Sequence, residues 1–344
     1  MFILALEAST ASAKAMYYDT ETERFELSTE PYCRDYEDIS KHRPDNVYEQ
    51  MTGLGRKLVH GRQVDIVALS GAWHSIGLFN KDITPATPMY PWTSTEPAKI
   101  CAQLRKDPQF VQDYYRRTGC MVNATYGMFK LVMLSRDYCL RDYFIMGQGS
   151  YNNYRMTGKL ITTDCHLSAS GLLNIYSKTY DKKMLEILGI DKAQLSDICS
   201  YKDTYPLTKE AAKQLGIKAG VPVVLSCADG ALNQTGSGAL IEGIMTLSVG
   251  RSCAIRIAVN EPVLSPDCST WCYLSPISWL AGAATNCGTS SVDWYKRCAF
   301  HEGTKYEDIE RNIRYGESTP VFLPFIYGER CPGWNDERCG SFHN

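Results

Sequence analysis

Short apolar runs separated by small-residue or acidic turns fill the first thirty positions. Ile3-Leu4-Ala5-Leu6 and Ala13-Lys14-Ala15-Met16-Tyr17-Tyr18 predict two strands, and a third follows the acidic turn after Asp19. The tip between the first two, Ser9-Thr10-Ala11-Ser12, carries small hydroxyl side chains and free N–H groups. The same device returns at 244–258, IMTLSVGRSCAIRIA: a strand, the tip Val249-Gly250-Arg251-Ser252, and a strand. Repetition at this distance predicts a duplicated two-domain fold around a cleft. Between the hairpins, 65–80 reads as two strands around Gly71-Ala72-Trp73-His74, and 107–117 and 124–138 have helical periodicity. Residues 208–216 read as a short helix capped by Thr208, and Val221–Ser226 as a buried strand. Strands are expected near 270–284 and over Pro320–Phe325, with helices near 289–299 and 304–315. Strands and helices alternate rather than segregate, which makes the class α/β.

Composition narrows the function classes. The 344 residues, 44% of them hydrophobic, exceed what a single core organises. Lys+Arg total 36 and Asp+Glu 38, a net charge of −2 that offers no electrostatic footprint for nucleic acid or an anionic membrane. Glu7 interrupts the apolar start, no basic segment precedes it, and no run is long enough to span a bilayer, so a cytoplasmic protein is expected. The 14 cysteines form no C-x-x-C pair, and the six histidines have no ligand spacing with them. That pattern reads as reduced thiols without a structural metal.

One carboxylate stands out. Asp229, in VVLSCADGALNQTGSGAL (223–240), is the only acid between Glu210 and Glu242. Two readings fit it: a helix N-cap, or a catalytic base at a strand-to-helix switch whose small neighbours let a ligand approach.

These segments, in this order, resemble the FGGY family of carbohydrate kinases over essentially the whole chain. The resemblance rests on EASTASAKAMYYD (7–19), Ser70-Gly71-Ala72-Trp73-His74-Ser75, Tyr154–Gly158 as the family's strand end, and Asp229-Gly230 through Gly236 and Gly238. Gly250-Arg251-Ser252-Cys253 matches the second phosphate hairpin. The most specific block is Leu323-Pro324, Gly328-Glu329-Arg330, Pro332, Trp334, Arg338 and Gly340. Within the family, WHSI, GLLNI, DGALNQTGSGAL and SCAIRI are most similar to gluconokinases, on a scaffold xylulokinases share.

The resemblance implies a ribonuclease-H-like, actin-like duplicated fold. It assigns residues 1–245 to a sugar-binding domain with the catalytic base and 246–344 to part of a nucleotide-binding domain. It also implies ATP with Mg²⁺ as donor and a small sugar or sugar acid as acceptor. Asp229 then takes the proton of the attacking hydroxyl, a role compatible with capping because a helix N-terminus lowers a carboxylate's pKa. His74 would contact the sugar and Trp73 would wall its pocket. Glu7, Thr10, Ser12, Lys14, Gly250, Arg251, Ser252 and Gly288 would meet the phosphates, with Glu7 also facing the metal.

The sequence departs from the family pattern at four places. Glu7 replaces an Asp, Ser9 a Gly, and Arg251 a Thr, while Trp92-Thr93-Ser94-Thr95-Glu96 lacks the family's sugar-binding Asp and the Arg that follows it. They motivate an alternative reading, a kinase-derived carbohydrate-binding protein with weakened turnover. Glu7 and Arg251, opposite in charge on facing hairpins, are expected to pair across the cleft. Family members continue past the position of Asn344, so a truncated second domain is expected. Such a domain would bind ATP only in the millimolar range and self-associate through exposed strands.

Overall fold

The computed structural model describes residues 1–33, 40–314, 316 and 318–344. The first sheet starts with β1 (Phe2–Ala8), β2 (Ser12–Asp19), β3 (Phe25–Pro31) and β4 (Ile66–Gly71), followed by β5 (Thr204–Pro206) and β6 (Pro222–Ala228). Its order is β5-β6-β4-β1-β2-β3. β1 runs antiparallel to β2 and parallel to β4, and β4 runs parallel to β6. In β1 and β2 alternate residues face inward: Leu4, Leu6 and Ala8, then Ala13, Ala15 and Tyr17. The helix Pro44–Val59 covers that face. Proline stands in its first turn, and Arg56 and Lys57 lie in its last. It buries Val47, Tyr48, Met51 and Leu54, and a Cβ on Gly55 would sit 2.8 Å from Leu6 Cδ2, so glycine there lets helix and sheet pack without moving that side chain. Helix Lys209–Leu215 closes the layer. Thr208 caps it as expected, accepting from the Ala211 N–H, and Gln214 Oε1 accepts from Tyr48 at 2.8 Å.

The second sheet contains β7 (Met245–Val249), β8 (Cys253–Val259), β9 (Trp271–Leu274) and β10 (Trp279–Thr285), in the antiparallel order β7-β8-β10-β9. The expected second hairpin is therefore present. One continuous apolar cluster joins Trp73, Tyr126, Phe129 and Ala231 to Ala258, Trp271, Tyr273, Leu280 and Trp334, so the core crosses position 245. β7 has β8 as its one neighbour among the described residues, and Met245, Leu247 and Val249 on it are 59–66% exposed.

Local assignments differ in four places, one being the helix expected over 124–138, which spans only Gly127–Leu134. Tyr154–Gly158 is a helix end, not a strand end. Helix Gln148–Thr157 stops at Gly158, whose φ of 71° is the left-handed turn glycine adopts readily. The helix expected over 304–315 is shorter, Tyr306–Arg311, and residue 315 lies outside the described residues. Only Val321–Leu323 of the last expected strand forms, paired with Ser341–His343. Among the described residues no helix is long and apolar enough to cross a membrane, and no group of three or more His, Cys, Asp or Glu side chains could hold a metal.

Candidate active site

Asp229 stands where β6 ends and helix Asp229–Gly236 begins. Ala228 occupies the N-cap position without a side-chain bond, so Asp229 is the first helical residue and not the cap. Its Oδ1 accepts from the Gly230 N–H at 2.7 Å. The expected lowering of its pKa by the helix start is not what the site produces. Burial outweighs the helix start, the Glu7 carboxylate adds to it, and together they push the Asp229 carboxyl up to about 6 against the pull of the Gly230 N–H, Arg256 and Lys14. A half-buried carboxylate poised there is a stronger proton acceptor near neutrality than an ordinary aspartate.

Two rings and a histidine stand beside it. Trp73 packs so closely on the helix start that a Cβ on Gly230 would lie 2.5 Å from its ring. Its Nε1 donates to the Cys165 carbonyl at 3.0 Å, and its ring centroid is 5.2 Å from that of Tyr273. His74 is held at φ 69°, an uncommon backbone state for a non-glycine residue. Its Nδ1 donates to the Ala169 carbonyl at 2.7 Å, and burial pushes its pKa well down. The ring is therefore neutral, leaving Nε2 as an acceptor for a ligand hydroxyl. Tyr126 and Tyr273, joined by hydroxyls 2.8 Å apart, complete the wall around His74.

The first hairpin gathers Glu7, Thr10, Ser12 and Lys14 as expected. Glu7 and Lys14 are cross-strand partners, and Lys14 Nζ donates to Glu7 Oε1 at 2.7 Å. That pairing replaces the expected ion pair with Arg251. Register places the lysine directly opposite the carboxylate, whereas exposed Arg251 makes no ion pair among the described residues. Thr10 Oγ1 accepts from Trp92 Nε1 at 2.8 Å, and Ser9 Oγ donates to the Ser12 carbonyl at 2.8 Å. The second tip brings Gly250, Arg251, Ser252 and Gly288 together. Gly288 N–H donates to the Arg251 carbonyl and Thr289 N–H to the Gly250 carbonyl, each at 2.8 Å. A Cβ on Gly288 would lie 2.4 Å from the Gly250 oxygen, so only glycine lets the tip seat on helix Thr289–Ala299. In the departed segment Ser94 is fully buried with its hydroxyl unpartnered, and Glu96 pairs with Lys41 at 2.8 Å.

Three cations near the site had no role assigned from sequence. Lys130, fully buried on helix Gly127–Leu134, donates to the carbonyls of His74, Pro91 and Thr125 at 3.1, 2.6 and 2.9 Å. Burial pushes its pKa well down, yet three acceptors call for the three protons of the ammonium form. It ties the His74 turn to the Pro91 loop. A lone charge in the apolar run GMFKLVML was its sequence signal. Arg256 and Arg330 lie in two of the segments that carry the family resemblance, SCAIRI and the Gly328-Glu329-Arg330 block.

Residues 2–236 match the model of the FGGY family of carbohydrate kinases, N-terminal domain. The chain belongs to the FGGY family. The fold accordingly is the duplicated ribonuclease-H-like, actin-like α/β fold, and the family is one of phosphotransferases. A gluconokinase of Bacillus subtilis is 22% identical over 99% of this chain and 71% of its own length. A xylulose kinase of Lactococcus lactis is also 22% identical, over 99% and 70%. Among solved structures, gluconate kinase from Lactobacillus acidophilus superposes with a TM-score of 0.89 at 25% identity, covering all of this chain and 72% of that one. Plasmodium falciparum glycerol kinase with ADP gives 0.85 at 16% identity.

Proposed function

We propose that this FGGY protein transfers the γ-phosphoryl group of ATP to a hydroxyl of a small sugar or sugar acid, with Asp229 as general base. The observation that carries the reading is Asp229 itself: a carboxyl with pKa about 6, set between the first phosphate hairpin and β8, beside a neutral histidine and aromatic walls. Phosphoryl transfer asks for positioning and charge neutralisation more than covalent chemistry, so one placed carboxylate suffices as base. Asp229 accepts the hydroxyl proton. His74 Nε2 accepts from a second hydroxyl, and the Trp73 face packs on the apolar side of the acceptor. Lys14, Thr10, Ser12 and the tip around Gly250, Arg251, Ser252 and Gly288 face the phosphates.

The residues present fit Mg²⁺, which needs only one or two carboxylates besides water and phosphate oxygens. Glu7, whose Oε2 takes no part in the 2.7 Å bond to Lys14, would hold it together with water and phosphate oxygens, and the ion would neutralise charge on the donor phosphates. Division into a sugar-binding domain, 1–245, and part of a nucleotide-binding domain, 246–344, belongs to the same proposal, as does a cytoplasmic location.

Asp229→Asn tests the mechanism. Turnover should fall by about two to four decades with acceptor affinity nearly intact. A variant that kept most of its turnover would remove Asp229 from the reaction. The alternative, carbohydrate binding without turnover, draws on one observation: Glu7 is already neutralised by Lys14. Acceptor binding with no ADP release would favour it.

A further inference from the structure

We propose that the acceptor is an aldonate, and that Arg256 and Arg330 hold its carboxylate. The proposal rests on reading the Asp229 site as the acceptor site. Arg256 extends from β8 to the start of the Asp229 helix, where a Cβ on Gly230 would come within 2.9 Å of its Nη2. Its Nε and Nη1 are shielded from solvent and donate to nothing. Arg330, only 8% exposed, likewise has a buried Nε without an acceptor. Neither guanidinium forms an ion pair within 4.0 Å among the described residues. The nearby carboxylates are engaged elsewhere: Glu329 with Arg338 at 2.9 Å, and Asp336 with Arg105 at 3.3 Å and Asn123 at 2.8 Å.

The two cations share one locality. Arg330 acts electrostatically on His74, Tyr126, Lys130 and Tyr273, while Arg256 feels both Asp229 and Arg330. Lys130 adds a third cation whose partners are all carbonyls. Of these cations only Arg256 acts on Asp229, and Glu7 is already paired with Lys14, so Arg330 is left without a carboxylate partner. Buried charges are normally paired, and an isolated one is costly. The guanidinium fork matches a carboxylate, and Nε and Nη1 of Arg256 and Nε of Arg330 are buried donors without an acceptor. A neutral polyol or ketose would leave both forks unpaired, whereas an aldonate supplies the missing anion. A nucleotide phosphate is the other anion to weigh. Arg256 lies three residues beyond Cys253 along β8, away from the tip, and the groups around Arg330 are those around His74, so the carboxylate is favoured.

Calorimetric titration without nucleotide tests this, using D-gluconate and D-glucitol, which share a carbon chain but differ in the carboxylate. Wild-type protein should bind gluconate at least about 10-fold more tightly. Arg256→Gln and Arg330→Gln should each weaken gluconate about 10- to 100-fold and leave glucitol unchanged. The Lys variants should recover part of the preference. If Arg330→Gln does not fold, the more exposed Arg256 decides alone. Equal affinity for the two ligands, equal loss of both, binding of neither, or loss confined to ATP-Mg²⁺ would overturn the proposal. Arginine-dependent gluconate binding without ADP release would instead overturn the phosphotransfer reading. Asp229-dependent phosphorylation of a neutral sugar, with no gluconate preference, would spare that reading and sink this one.

Discussion

Replacing Asp229 with Asn should stabilise the fold while it removes activity. The carboxyl is raised from its ordinary 3.8 to about 6, chiefly by burial and then by Glu7. A raised folded-state pKa means that the protonated form favours folding. Its contribution is fully present below the unfolded pKa near 4 and is lost as pH rises through about 6. At pH 8 the ionised group burdens the native state. The full shift corresponds to about 3 kcal/mol, and because Asp229 keeps some solvent contact, about half of that is expected. The Asn oxygen can still accept from Gly230 N–H, so the change removes mainly charge. Urea unfolding at pH 8, 6 and 4.5 measures it. The variant should be more stable by about 1–2 kcal/mol at pH 8, at unchanged denaturant slope, and the gap should close by pH 4.5. A variant no more stable than wild type at pH 8, or a gap independent of pH, would refute the desolvated-carboxylate account.

Glu7→Gln removes the second cause of the raised Asp229 pKa and frees Lys14, so the acid limb of the kcat/KM–pH profile should move to lower pH; an unmoved limb would separate the two carboxylates. Gly230→Ala forces the Trp73 ring and Arg256 aside, and should cost about 1–2 kcal/mol net of the helix propensity gained, with weakened acceptor binding by calorimetry. Lys130→Met leaves three carbonyls near His74 and Pro91 without donors and should destabilise by about 3 kcal/mol or more in thermal and urea melts. The exposed edge strand β7 should drive concentration-dependent self-association in sedimentation, reduced by the paired change Leu247→Lys and Val249→Lys.

The hairpins, the Thr208 helix and the strand before Asp229 were legible because their apolar alternation or capping is local. The order of the sheets follows from the family resemblance rather than from spacing. The helix start beside Asp229 is visible in sequence, whereas the burial that outweighs it and the Glu7 charge that adds to it come from segments distant in the chain. The Glu7–Arg251 pairing failed for a related reason. Opposite charges on two tips suggest a pair, but cross-strand register had already given Glu7 its partner in Lys14. Tyr154–Gly158 was misassigned because a glycine after a short polar run ends a helix as readily as it ends a strand. Arg256 and Arg330 acquire meaning only through what they lack, a partner, and that appears only in three dimensions.

ADP release by wild type and Asp229→Asn, measured with ATP-Mg²⁺ against gluconate, xylulose and glycerol, tests the central claim most directly. The account predicts ADP and phosphorylated acceptor in equal amounts from wild type, and a rate about two to four decades lower in the variant. Acceptor binding without ADP release, or release that does not depend on Asp229, would contradict it.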